Sequence, residues 1–170
     1  MKKIEIKKIV ISAIFTAVIA ATAWISIPTP FGINLTFTLF GVCLTGFVLG
    51  AKYGFMSTAV YIALGAIGLP VFSLFLGGFG VLLGVSGGFL WGFLFTAVLC
   101  GISSKLKKKL FKYLLMVFSI LICHIAGVTQ FCVVSGNNLY TSFLTASLPF
   151  LAKDVILVFV AYGVAQKIRR

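Results

Sequence analysis

Acidic side chains are almost absent from this sequence, which has only Glu5 and Asp154, together with one histidine, His124, among 170 residues. No HExxH segment and no acidic cluster is present, so most acid–base catalysis is excluded. A GxxxxGK[ST] segment is also missing, so we expect no nucleotide hydrolysis on this chain. The four cysteines form no CxxC pair and predict buried thiols. We therefore predict neither an enzyme nor a bound metal or cofactor.

Apolar residues fill the sequence instead. Hydrophobic residues make up 61% of it and charged residues only 9%, far outside the range of soluble proteins. A chain of this length suffices for one domain. We predict a single all-α integral membrane domain over residues 1–170, because helices satisfy their own backbone hydrogen bonds in lipid.

Six apolar runs approach the roughly 20 residues that a membrane span requires. The predicted spans are residues 9–27, 35–49, 53–67, 84–102, 113–134 and 146–165. With six spans both termini share one side of the membrane, and that side collects 13 of the 14 basic residues. The positive-inside rule then places both termini and the basic connector 105–112 in the cytoplasm, and the polar loop 135–142 outside.

Residues 65–92 form a Gly-rich segment between the third and fourth spans. It contains nine of the 18 glycines, Pro70 and no charge. This composition disfavours an uninterrupted helix, and irregular backbone at membrane depth must be buried in protein or line a cavity. We predict an outer loop that covers a small-molecule cavity; a flexible connecting loop is the alternative.

Lys153 and Asp154 are adjacent charges at membrane depth, near the outer end of the sixth span. Ionisable residues in a span are costly and indicate a functional site. Neighbouring side chains point about 100° apart on a helix, so the two need not satisfy each other and a ligand could satisfy both. Alternatively, Lys153 snorkels to the interface and Asp154 caps the helix.

Other polar residues lie near the predicted cavity. Asn34 and Thr36 follow Pro30 at the outer entry to the second span, where they face a ligand or cap the helix. In the fifth span, Gln130 lines a pocket or bonds across helices. A lone His124 in an apolar helix is more typical of a hydrogen bond to a neighbour than of a proton carrier.

Small residues repeat at four-residue steps along the first span, at Ala13, Ala17 and Ala21. Such a stripe lets another helix approach closely. It indicates either a docking face for a partner membrane protein or packing inside this bundle.

Four segments resemble the BioY family, the biotin-binding S-components of energy-coupling factor (ECF) transporters. They read PTPFGINLTFTLFGV, LGAKYGFMSTAVYIALGAIGLPVF, LGGFGVLLGVSGGFLWGF and SLPFLAKD. The resemblance implies six helices, cytoplasmic termini, an outward-facing vitamin pocket and residence in a prokaryotic plasma membrane. It also implies that the alanine stripe docks on a coupling membrane subunit, while two ATPase subunits supply energy.

The resemblance assigns the ligand-site acid of a PFxxGDxxK pattern to Asp154. The sequence departs from that pattern, with Leu157 in place of the lysine and Lys153 in place of the glycine. The long stem of Lys153 can bring its ammonium to a nearby place, where we expect it to matter mainly for ligands with a carboxylate. The candidate substrate-binding residues are Asn34, Thr36, Phe72, Gly77, Gly78, Ser86, Gln130, Lys153 and Asp154.

We predict the substrate-binding membrane subunit of a vitamin uptake transporter, with biotin as the ligand. Another vitamin or a biotin precursor is the alternative ligand. A self-sufficient proton-coupled carrier, in which Asp154 titrates, is the alternative mechanism.

Overall fold

The computed structural model describes residues 3–30 and 33–169, and helices dominate it, as the sequence predicts. Its helices and strands are α1 Lys3–Trp24, β1 Ser26–Ile27, β2 Leu35–Thr36, α2 Thr38–Ala66, α3 Phe79–Leu83, α4 Gly87–Ser103, α5 Lys109–Ser135, α6 Leu139–Ala146 and α7 Leu148–Ile168. The two short strands pair antiparallel, and a 3-10 turn at Ser73–Phe75 precedes α3.

Within the described ranges, four helices are long and apolar enough to cross a membrane, namely α1, α2, α5 and α7. Helix α4 is shorter, at 17 residues. Helix α2 has 29 residues and spans both the second and the third predicted spans. The structure therefore differs from the six predicted spans mainly at Gly50, where one helix, α2, replaces two separate spans.

Gly50 breaks α2 into two segments. Its φ of 80° and ψ of 174° are not helical, and glycine adopts a positive φ without strain. A Cβ built on Gly54 would lie 3.0 Å from the Cα of Gly46. Eight residues of continuous helix would instead separate these positions by about 12 Å. The chain therefore reverses at Gly50, and residues 38–49 pack against residues 51–66.

Helix α4 packs against this reversal through glycine. A Cβ on Gly101 would collide with the backbone nitrogen of Ala51, and one on Gly46 would collide with the carbonyl oxygen of Ala97. Such contacts let backbones approach more closely than side chains allow. They bury Cys43, Phe47, Ala97 and Cys100 in the core of the bundle.

Basic side chains gather at the Gly50 end of the bundle. The ammonium of Lys8 lies 5.3 Å from the ring centroid of Tyr53, and Arg169 donates to the carbonyl of Phe47 at 3.2 Å. The N-terminal part of α1 and the C-terminal end of α7 therefore share one end. Lys2, Arg170 and the side chain of Lys3, which the predicted basic side includes, lie outside the described residues.

Helix α6 corrects one part of the sequence analysis, which places a loop at residues 135–142. The side chain of Asn138 accepts a hydrogen bond from the amide of Thr141 at 2.8 Å and begins the helix. Asparagine favours both turns and helix N-caps, so its sequence signal does not separate the two.

Candidate functional site

A cavity lies at the end of the bundle opposite the Gly50 reversal. Strand β2, both segments of α2, the Gly-rich segment, α5 and the first turns of α4 and α7 surround it. Its lining residues are Ile33, Asn34, Thr36, Thr38, Leu39, Tyr61, Phe72, Ser73, Val81, Ser86, Phe89, Leu90, Phe93, Cys123, Phe150, Lys153 and Asp154.

Five of the 17 residues that line the cavity are aromatic. The ring of Phe72 is 2% exposed and meets Tyr61 edge-to-face, with 5.5 Å between centroids. Gly65 makes this possible, because a Cβ there would overlap the Phe72 ring. Phe89 and Phe150 complete the wall. Rigid aromatic walls with few polar groups are typical of small-molecule sites.

Lys153 and Asp154 supply the charge of the cavity, and the structure brings their side chains together. The ammonium of Lys153 lies 2.8 Å from Oδ1 of Asp154 and donates to the carbonyl of Thr36 at 2.6 Å. The two side chains meet although neighbours on a helix point about 100° apart, because the long lysine stem turns back. Oδ1 is buried and nevertheless receives no hydrogen bond of proper geometry from the described residues, so it retains acceptor capacity.

His124 holds the second oxygen of Asp154. Its Nε2 lies 3.2 Å from Oδ2 of Asp154, and its Nδ1 lies 2.9 Å from the hydroxyl of Ser147. His124 is 4% exposed and Asp154 7% exposed. The histidine thus bonds to neighbours, as expected for a lone histidine in an apolar helix.

Gln130 ties the Gly-rich segment to α5. Its Nε2 donates to the carbonyls of Leu82 and Gly84, both at 2.8 Å. Gly87 and Gly88 leave room for the glutamine side chain, because a Cβ on either would crowd it. Of the two roles predicted for Gln130, the structure displays the bond between segments.

The outer edge of the Gly-rich segment is tied to α1 and to the strand pair. The indole of Trp24 donates to the carbonyl of Pro70 at 2.9 Å and stacks on Phe75 at 5.2 Å. The side-chain amide of Asn34 donates to the hydroxyl of Ser73 at 3.0 Å. Between these contacts Leu74 has a φ of 55°, which is strained for a residue other than glycine.

Six of the nine candidate residues line the cavity, namely Asn34, Thr36, Phe72, Ser86, Lys153 and Asp154. Gly77, Gly78 and Gln130 lie outside its lining. A Cβ on Gly77 would collide with the carbonyl of Leu69, and Gly78 has a φ of 103°. Both glycines shape the segment rather than the cavity surface.

Tyr61 and Phe93 also line the cavity, and the sequence does not predict them as site residues. Both lie inside apolar helices, where an aromatic ring is equally typical of packing or membrane contact. Gly54, Ser57 and Tyr61 follow one another at steps of about one helical turn. This stripe of small and polar residues is the sequence signal that places Tyr61 on an inward face.

The alanine stripe of α1 faces outward. Ala13, Ala17 and Ala21 are exposed. The adjacent face of α1, which carries Ser12 and Thr16, packs inward. Thr16 donates to the carbonyl of Ser57 at 3.1 Å, and Ser57 donates to the carbonyl of Ser12 at 3.0 Å. The packing of α1 on α2 therefore leaves the alanine stripe uncovered in this chain.

An apolar helical bundle with a cavity at one end, lined in part by Lys153 and Asp154, defines a multi-pass membrane protein with a small-molecule site. The chain belongs to the BioY family, whose family model matches residues 1–170.

Similar proteins agree with this assignment. A probable biotin transporter BioY from Pyrococcus horikoshii is 32% identical over 166 residues, covering 96% of each chain. The biotin transporter BioY of Thermotoga maritima is 44% identical over 108 residues, which span 64% of this chain and 63% of that protein. The crystal structure of the S-component for biotin from an ECF-type ABC transporter is 27% identical, with a TM-score of 0.89, and the match covers 99% of this chain and 94% of that chain.

Gln130→Leu should loosen the Gly-rich segment. Two backbone carbonyls lose their donor, a loss of about 1–3 kcal/mol in local stability. We expect hydrogen–deuterium exchange of residues 79–88 to rise by about 10–100-fold. The matched control is Thr129→Val, because the Thr129 hydroxyl bonds only within its own helix, to the carbonyl of Ile125. Equal exchange in both variants would show that Gln130 does not hold the Gly-rich segment in place.

Proposed function

We propose that this chain is the biotin-binding S-component of an ECF-type transporter and takes up the vitamin across a prokaryotic plasma membrane. The observation that carries the proposal is the cavity with aromatic walls whose floor holds Lys153 and Asp154. The names of the BioY relatives and the matched biotin S-component support it.

The chemistry of biotin suits this cavity. Biotin has a compact apolar bicycle that can pack against Phe72, Phe89 and Phe150. Its ureido group carries N–H donors beside a carbonyl acceptor. In the complex, the Oδ1 of Asp154, which retains acceptor capacity, accepts from an N–H, and the Lys153 ammonium donates to the carbonyl. Charge-assisted hydrogen bonds of this kind are stronger than neutral ones.

This arrangement changes the role proposed for Lys153. Because its ammonium lies 2.8 Å from Asp154, both charges face the same part of a ligand. The carboxylate of biotin is at the far end of a flexible tail. Lys153 therefore contacts the ureido end, rather than serving mainly the carboxylate end.

Energy for transport comes from partner subunits in this proposal. The sequence has no nucleotide-binding segment, so two ATPase subunits hydrolyse ATP and a coupling membrane subunit joins them to this chain. The exposed Ala13, Ala17 and Ala21 form the docking face for that coupling subunit.

The chain crosses the membrane six times in this proposal, with both termini in the cytoplasm. The reversal at Gly50 supports it, because α2 then contributes two crossings, and α1, α4, α5 and α7 contribute the others. The basic end of the bundle faces the cytoplasm, and the cavity faces outward.

Cysteine labelling tests this topology. In a background without the four native cysteines, an impermeant thiol reagent applied to intact cells should modify Asn137→Cys and spare Lys108→Cys. Permeabilised cells should label at both positions, which controls for reactivity. The reverse pattern in intact cells would overturn the orientation.

Ala17→Trp should block transport and leave binding intact. The indole would hold the coupling subunit's helix away from α1, while the cavity lies elsewhere. We expect normal biotin affinity by calorimetry and loss of uptake in a reconstituted complex. Ile125→Trp is the matched control, because Ile125 is 65% exposed on a different helix, α5. Normal uptake by Ala17→Trp would exclude the docking face.

Asp154→Asn should weaken biotin binding by about 1.5–3 kcal/mol, the contribution of a hydrogen bond to a charged group. That corresponds to about one to two decades in the Kd measured by titration calorimetry. The fold should persist, because an amide costs less at membrane depth than a carboxylate. Unchanged affinity in a folded variant would remove Asp154 from the site.

Lys153→Met separates the two roles of the lysine. If it contacts the ureido carbonyl, biotin and biotin amide should lose affinity by the same factor. A loss confined to biotin would place the ammonium at the carboxylate instead.

A further inference from the structure

His124 forms a buried polar link between Ser147 and Asp154, and its role in ligand binding follows from which oxygen it holds. The imidazole contacts Oδ2 of Asp154 at 3.2 Å through Nε2, and Ser147 at 2.9 Å through Nδ1. Oδ1 is buried, lies 2.8 Å from the Lys153 ammonium, and receives no hydrogen bond of proper geometry from the described residues. The two oxygens of one carboxylate therefore have different surroundings.

A carboxylate does not keep such an orientation by itself. The terminal torsion of aspartate is broad and roughly two-fold, so the planar group can rotate and exchange its oxygens. The Lys153 ammonium contacts Oδ1 at 2.8 Å and also donates to the carbonyl of Thr36, so it bears on one of the two oxygens. The ring of His124 is fixed at several points, by Asp154, by Ser147 and by an edge-to-face contact with Phe89 at 5.6 Å.

We propose that His124 is a positioning residue of the ligand site: it holds Asp154 through Oδ2 and so fixes the orientation in which Oδ1 meets Lys153 and, on binding, the ligand. This inference rests on the proposed role of Asp154 in binding. A neutral imidazole serves it when Nε2–H donates to the carboxylate and Nδ1 accepts from the Ser147 hydroxyl. Ser147 lies at the junction of α6 and α7, so the link also fixes the start of the helix that carries Asp154.

Glutamine and leucine at position 124 separate positioning from packing. The side-chain amide of His124→Gln can still donate to Oδ2, whereas His124→Leu fills space but cannot donate. In titrations of the purified full-length protein with biotin, we expect His124→Leu to raise the Kd by about tenfold or more, and His124→Gln by less than about threefold. Ser147→Ala, which frees the far end of the ring, should raise the Kd by about two- to tenfold.

Two controls accompany these variants. Ser119→Ala is the matched change on the same helix, because Ser119 is buried but bonds to the carbonyl of Met116, away from Asp154; it should leave the Kd unchanged. In an Asp154→Asn background, His124→Leu should cause no further loss, because its effect acts through the carboxylate. Thermal unfolding of each ligand-free variant reports whether it is folded.

The outcomes separate this inference from the proposed site. Equal losses in His124→Leu and His124→Gln would reduce His124 to a packing residue. A further loss in the Asp154→Asn background would show that His124 acts independently of Asp154. Normal binding by Asp154→Asn itself would overturn the site and the positioning role together. A weakened Asp154→Asn with a normal His124→Leu would overturn the positioning role alone. If His124→Leu does not fold, a normal Kd in Ser147→Ala overturns it.

Discussion

In a bilayer, apolar side chains gain little by leaving the lipid, so helices associate through close packing and hydrogen bonds. This chain meets that constraint with glycine at the contacts between helices. Gly46 touches α4, Gly92 touches α5 at Cys123, and Gly101 touches the start of the second segment of α2 at Ala51. Each contact would be lost if the glycine carried a Cβ. The close approach of α2, α4 and α5 defines a compact half of the bundle, and Cys123 at one of these contacts also lines the cavity.

A buried carboxylate at the other end adds a second constraint. Asp154 is 7% exposed in an apolar protein, and an unpaired carboxylate there would be costly. Lys153 supplies the opposite charge and His124 a hydrogen bond, yet Oδ1 retains acceptor capacity. These contacts thus stabilise the charge of Asp154 but leave part of its hydrogen-bond acceptor capacity unused. A ligand with N–H donors can complete the set, which relates the stability of the site to its selectivity.

Much of the fold and part of the site could be predicted from the sequence. Composition alone gave the membrane class, and the placement of lysines indicated which loops share a side. Asp154 was evident because an acid in an apolar run is rare. The pairing of His124 with Asp154 was not, since the two are 30 residues apart and periodicity reports only the face of a helix. The Gln130 contacts with Leu82 and Gly84 span nearly 50 residues and left no local signal.

Helix α1 carries the alanine stripe and also contacts elements that surround the cavity. Its middle carries the exposed alanine stripe, and Thr16 anchors it to Ser57 on the second segment of α2. Tyr61, one turn further along that segment, lines the cavity. Trp24 at the end of α1 holds the Gly-rich segment through Pro70. A tilt of α1 against a partner helix would therefore displace both the cavity wall at Tyr61 and the Gly-rich segment that Trp24 holds, because one rigid helix contacts the two elements.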